Sequence, residues 1–155
     1  MTADPEKLEK RARNVLLYQL SRSMKTEHQL REIMIRREIP SEVFEPVLQR
    51  FKEAQLFDDA EFARAFVNSK TRDGKSVNMI RRELRSKGVA QPLIETATAE
   101  ITTEHEIERA TELAARRLMR MQGLEPAVVR RRLQGYLARR GFSSQVVSAA
   151  MRQSL

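Results

Sequence analysis

The chain repeats itself three times, and few architectures are compatible with that. Leu30-Arg31-Glu32-Ile33-Met34 leads to Arg37-Glu38-Ile39, then to Val43-Phe44 and Val47. Fifty residues later the pattern returns as Ile80-Arg81-Arg82-Glu83-Leu84, Lys87-Gly88-Val89, Leu93-Ile94 and Ala97. It returns again as Leu133 and Leu137, Arg140-Gly141-Phe142, Val146-Val147 and Ala150. Each copy reads as an amphipathic helix, a basic residue near its end, a turn, an apolar anchor and a second helix. A further helical segment precedes each copy. Apolar residues recur at helical spacing throughout, and no segment alternates as a half-buried strand would. The pattern predicts an all-α protein of three tandem three-helix, helix-turn-helix-like units. They are expected at 1–57, 58–101 and 102–155. One unit alone buries little surface, so the units should stack into an elongated, curved body.

Local signals place nine helices, near 5–22, 27–38, 42–55, 59–72, 77–87, 91–101, 104–121, 126–140 and 144–153. Asp4 before Pro5 reads as an N-cap and first helical residue. Thr26 with Gln29, and Asp58 with Glu61, fit capping boxes, and Phe57 with Phe62 fits a hydrophobic staple. Ser76 and Ser143 or Ser144 are further N-cap candidates. Gly88 and Gly141 mark helix ends, each after a basic residue suited to a helix C-terminus. Pro46 conflicts with a helix from Ser41, so that helix is expected to start later or bend. Glu38 stands where the other units carry Gly, and a different turn is expected there.

Several kinds of function are disfavoured at once. Cysteine is absent and there are only two histidines, His28 and His105, so thiolate chemistry and Cys or His metal cages are not expected. Both histidines fall in polar first turns and should be exposed. Asp58, Asp59 and Glu61 are explained as helix-start residues rather than metal ligands. Gly74-Lys75-Ser76 resembles the end of a phosphate-binding loop, but Ser69 replaces the required glycine and no strand precedes it. Met119 and Met121 fit as core fillers. The few aromatic residues fall mostly at core-like positions, so a base-stacking platform is not expected. No nucleophile–base pair or carboxylate dyad is found, so the chain reads as a binder, not an enzyme, and no cofactor is expected. No apolar run is long enough to span a membrane. The opening MTADPEKLEKRAR lacks the apolar segment of an export leader. A cytoplasmic location is expected.

Charge gives the positive clue. The 29 Lys and Arg outnumber the 21 Asp and Glu, for a net +8. Residues 102–155 hold 10 of the cations against 5 anions, and all ten are Arg. Arg suits bidentate contact with phosphate or carboxylate. Helical geometry puts Arg109, Arg116 and Arg120 on one side of their helix, opposite Ile107, Ala110, Ala114, Leu118 and Met121. Arg131, Arg132 and Arg139 lie away from Val129, Leu133 and Leu137, beside a surface kept low by Gly135 and Ala138. In the second unit Arg82 and Arg85 face outward, with Arg81 and Lys87 at the flanks. Each group could equally be a solvated face. Ile35 points away from Leu30 and Met34.

Four segments carry a family resemblance: Ser21-Arg22-Ser23 leading into Gln29-Leu30-Arg31; Phe57-Asp58-Asp59-Ala60-Glu61-Phe62-Ala63; Ile80-Arg81-Arg82-Glu83-Leu84-Arg85-Ser86-Lys87-Gly88-Val89; and Arg139-Arg140-Gly141-Phe142. In order, spacing and threefold repetition they resemble the RecX family of recombinase regulators, over about residues 15–155. The resemblance implies a protein that binds the RecA filament on single-stranded DNA. It further implies that the protein restrains the filament's ATPase and strand exchange, in recombination, repair and the SOS response. Candidate contact residues are Arg81, Arg82, Arg85, Lys87, Arg109, Arg116, Arg120, Arg131, Arg132, Arg139 and Arg140. Bare single- or double-stranded DNA should bind weakly and without sequence preference, since no base-reading set is found. A monomer is expected, because no long a/d seam is present. The alternative is a helix-turn-helix-like protein acting directly on DNA, which the basic charge and short helices would also suit.

Overall fold

The computed structural model describes residues 4–155; the first three residues of the charged opening segment lie outside this range. Among the described residues there are nine helices and no strand: α1 Pro5–Arg22, α2 Glu27–Arg36, α3 Ser41–Glu53, α4 Asp59–Arg72, α5 Val77–Ser86, α6 Gln91–Thr98, α7 Thr103–Leu118, α8 Pro126–Arg139 and α9 Ser144–Ser154. They pack in threes, α1–α3, α4–α6 and α7–α9, and helix-on-helix packing is concentrated within these triplets. The accessible surface of 10110 Å² exceeds the roughly 8,000 Å² expected of a compact chain of this mass. The body is accordingly elongated.

Each unit has its own apolar cluster. Leu16, Leu30, Met34, Phe44 and Val47 centre the first. Phe62, Ala63, Ile80, Leu84 and Ile94 centre the second, and Ala110, Ala114, Leu133, Leu137 and Val147 the third. The repeated anchors Ile39, Val89 and Phe142 are buried in all three. Ala12, Ala63 and Ala110 are fully buried on the leading helices, where a methyl group lets the crossing helix come close.

Most of the expected caps form. Thr26 and Gln29 make a reciprocal capping box. Ser76 accepts from the Met79 amide and Ser143 from the Val146 amide. Other expectations need correction. Asp58 accepts from the Ala60 amide at 2.9 Å, but Glu61 does not complete the box. The Phe57–Phe62 staple is absent, because Phe57 joins the first cluster and Phe62 the second. Helix α3 starts at Ser41 and runs through Pro46. Pro46 lies in the second turn, where the Glu42 carbonyl loses its amide partner, and Pro46 is solvent-exposed. Helices α6 and α7 stop three residues earlier than expected. The Glu38 turn matches the others: φ is 59° at Glu38, against 84° at Gly88 and 92° at Gly141.

The units meet through polar joints. In the first, the Thr26 hydroxyl donates to the Lys87 carbonyl at 2.6 Å, and the Glu27 amide donates to Asp59 Oδ1 at 2.9 Å. In the second, the Ser76 amide donates to the Arg140 carbonyl at 3.0 Å, and the Val77 amide donates to Glu106 Oε1 at 2.6 Å. So the turn that closes the second helix of one unit seats on the N-cap of the second helix of the unit before.

Candidate partner-binding surface

Helices α7 and α8 pack through Ala110, Ala114, Leu133 and Leu137, with the buried Met121 in the short connection between them. Between them lies a cleft of about 500 Å³ lined by Arg117, Arg120, Met121, Arg131, Arg132 and Arg139. It brings together four residues expected from the sequence and adds Arg117. No carboxylate lines it, and none of its five guanidinium groups forms an ion pair among the described residues. Other cations, several of them in the first unit, are neutralised. There Arg31 clamps Glu45 at 2.7 Å, Arg50 reaches Glu9 at 2.7 Å and Lys52 reaches Glu27 at 3.2 Å. The hydrogen bond from Arg31 holds the Glu45 carboxyl below its ordinary range.

Two details shape the cleft. The Arg117 guanidinium lies 4.8 Å from the Tyr136 ring centroid, which fixes its plane by a cation–π contact. A Cβ at position 135 would stand 3.0 Å from Arg139 Nη1. Gly135 therefore lets Arg139 lie back across the helix toward the cleft, at the conformational cost of a mid-helix glycine. Five unpaired guanidinium groups facing one opening raise the local potential and favour a multiply charged anion.

The remaining candidates are dispersed. Arg109 breaks the expected stripe: its side chain is 18% exposed and donates to the carbonyls of Thr71 and Lys75. It braces the second joint and does not face outward. Arg140 likewise reaches back, donating to the Asp73 carbonyl at 2.8 Å and lying against the Tyr136 ring. Arg116 is exposed and lies outside the cleft. In the second unit Arg81 donates to Thr98 Oγ1 at 3.1 Å, tying α5 to α6. The Lys87 ammonium sits 5.6 Å from the Phe66 ring centroid while its carbonyl serves the first joint. Arg82 and Arg85 are exposed without an ion-pair partner among the described residues. His105 completes a capping box with Thr102, and His28 pairs with Glu32 at 3.0 Å. Among the described residues no group of three or more His, Cys, Asp or Glu could hold a metal. No described helix is long and apolar enough to cross a membrane.

Sequence reasoning missed Arg117 because it flanks the buried face of α7, and only the Tyr136 ring on α8 draws it to the cleft. It also missed Asp59 and Glu106 as joint residues. Their partners are 32 and 29 residues away, beyond any local pattern.

Comparison with known proteins assigns each unit separately. Residues 12–51, 58–97 and 104–151 match the first, second and third three-helix domains of RecX. The regulatory protein RecX of Streptomyces coelicolor is 41% identical over 145 residues, covering 93% of this chain and 77% of that protein. That of Thermobifida fusca is 39% identical over 155 residues, covering 99% and 84%. A crystal structure of a regulatory protein RecX superposes with a TM-score of 0.80 at 27% identity, over 98% of this chain and 79% of the other. RecX from Lactobacillus salivarius shares the fold, with a TM-score of 0.82 at 17% identity, over 96% and 97%.

Proposed function

The chain belongs to the RecX family, and from that footing we propose that it regulates a RecA-type recombinase by binding its filament on single-stranded DNA. Binding restrains the filament's ATPase and strand exchange, and so modulates recombination and repair. The third unit makes the principal contact, through Arg117, Arg120, Arg131, Arg132 and Arg139. The observation that carries this assignment is the collection of five guanidinium groups around one cleft with no carboxylate to neutralise them. An acidic patch on the recombinase or a phosphate run would fit it. Arg82 and Arg85, exposed on the second unit, make a separate, secondary contact. The molecule acts as a monomer without chemistry of its own.

The test is recombinase ATPase on single-stranded DNA, titrated with this protein at fixed ionic strength, since salt alone screens such contacts. Replacing Arg120, Arg131, Arg132 and Arg139 together by Ser is expected to leave folding intact. Exposed substitutions typically move stability by about 0.5 kcal/mol or less each. The inhibitory concentration should rise by at least about tenfold, the equivalent of one broken charge-assisted hydrogen bond. A variant that folds and inhibits like the parent would remove the cleft from the mechanism. A salt-resistant preference for one duplex sequence would support direct action on DNA in its place.

A further inference from the structure

The opposite end of the molecule carries a second basic cleft. It measures about 470 Å³ and is lined by Lys7, Lys10, Arg11, Asn14, Val15 and Tyr18 of α1, with Arg37 from the end of α2. Successive α1 residues turn by about 100°, so Lys7, Lys10, Arg11, Asn14 and Tyr18 form one stripe opposite the fully buried Leu16. The acidic residues of the segment lie elsewhere: Glu9 pairs with Arg13 and Arg50 on another face. No carboxylate lines the cleft, and Lys7, Lys10, Arg11 and Arg37 make no ion pair among the described residues.

Tyr18 gives this cleft a feature the third-unit cleft lacks. Its side chain is 54% exposed, and Arg22, one helical turn on, tethers its hydroxyl end, donating to the phenol oxygen at 2.9 Å with the guanidinium 5.6 Å from the ring centroid. An aromatic ring largely open to solvent and set in a line of cations has the makings of a nucleotide platform: bases stack on the aromatic face while cations follow the phosphates. Protein surfaces offer acidic side chains but no flat, unpaired bases. We propose that this cleft of the first unit is a binding site for single-stranded nucleic acid, with Lys7, Lys10, Arg11 and Arg37 on the phosphates and Tyr18 under a base. The site does not rest on the function proposed above. It is formed wholly by the first unit, and no hydrogen bond among the described residues links that unit to the third.

The chain has two tyrosines and no tryptophan, so Tyr136→Phe leaves Tyr18 as the sole emitter. This protein, with and without the fourfold serine substitution of the third unit, is titrated with oligo(dT) and with an abasic strand of equal length. Oligo(dT) is expected to quench Tyr18 emission in both backgrounds, and the abasic strand is not. Lys7→Ser, Lys10→Ser and Arg11→Ser together, read by anisotropy of a labelled oligo(dT), are expected to weaken binding at least tenfold. The salt slope should fall by about two, since each phosphate that no longer meets a cation takes away roughly 0.7. In otherwise unaltered protein, Tyr18→Ala should bind oligo(dT) about tenfold more weakly and the abasic strand as the parent does. Tyr18→Phe should retain the parent's binding, which separates stacking from a folding defect. Unquenched Tyr18 at saturating oligo(dT) would overturn the proposal, as would parental affinity in the triple variant. Abolished binding to the recombinase filament with intact binding to bare oligo(dT) would also overturn it, and would give the cleft to an acidic protein surface.

Discussion

The two joints between units follow one plan with different reinforcement. In each, a carboxylate from the incoming leading helix accepts the first amide of a second helix, Asp59 for Glu27 and Glu106 for Val77. In each, the residue before a glycine offers its carbonyl to the neighbouring N-cap. The second joint adds two guanidinium braces, Arg109 on Thr71 and Lys75 and Arg140 on Asp73. Its carboxylate is also the more deeply buried: Glu106 is 4% exposed, whereas Asp59 is half-buried. The contrast locates the meaning of the basic-Gly-apolar motif, which serves the joint more than the three-helix unit. A Cβ at position 88 would stand 2.2 Å from His28 Cβ, and one at 141 would stand 2.5 Å from Ser76 Oγ. The Glu38 turn seats on no other unit, so it keeps the left-handed backbone without needing a glycine.

The plan can be broken most severely at Gly88 and Gly141. Gly88→Ala combines a left-handed backbone with a clash against a Cβ fixed to α2, and should cost about 3 kcal/mol. Gly141→Ala should cost a comparable amount, since Ser76 Oγ is held as the cap of the Met79 amide and Met79 Cβ would stand at 2.9 Å. Urea unfolding measures both, and a parental midpoint for Gly88→Ala would refute the close approach. Next come the two carboxylates. Glu106→Ala removes a buried acceptor from the part-buried Val77 amide and should cost about 2 kcal/mol, against about 1 kcal/mol for Asp59→Ala at the wetter joint. Equal losses in thermal unfolding would erase the distinction between the joints. A smaller effect, of opposite sign, belongs to Glu38→Gly. Relief of the left-handed strain should stabilise the chain by about 0.5 kcal/mol, net of the added chain entropy, visible as a raised urea midpoint.

The smallest effect is on pH dependence. Burial lifts the Asp59 carboxyl above its ordinary range, outweighing the hydrogen bond from the Glu27 amide. The folded chain therefore holds that proton more tightly than the unfolded chain, and ionised Asp59 costs stability above its folded value. That cost fades as pH falls through the folded value toward the unfolded value of 3.8. Asp59→Asn should be slightly more stable than the parent near neutrality and equal to it at the acid end, with solvent keeping the gain small. A gain that grew on acidification, in urea midpoints taken across this range, would reverse the assignment.

Helix positions and the apolar anchors were legible because each depends on residues a few places apart: Thr26 with Gln29, or Leu133 with Leu137. The repeat supplied the grouping into three. What stayed hidden depends on distant neighbours. Arg109 looks outward on an isolated α7, and only the second unit's carbonyls, 34 and 38 residues earlier, draw it into the joint. Arg140 and Phe57 escaped for the same reason. The first-unit cleft escaped for another: net charge summed along a segment hides the segregation of Lys7, Lys10 and Arg11 from Glu9 around the helix. Arg120, Arg131, Arg132 and Arg139 were legible as outward residues. That they share one cleft follows from the crossing of α7 and α8, which periodicity does not specify.

With three separate apolar clusters and joints built from a handful of directional hydrogen bonds, the molecule is mechanically a chain of rigid plates on hinges. Few contacts cross the two joints beside those within each unit, so any relative movement of the units is expected to be concentrated there. The hinge with guanidinium braces is the stiffer. The last two units, with the extra guanidinium bonds between them, are expected to hold their mutual angle better than the first two. Such a device can grip a partner at one end and adjust its reach at the other without unfolding any part of itself.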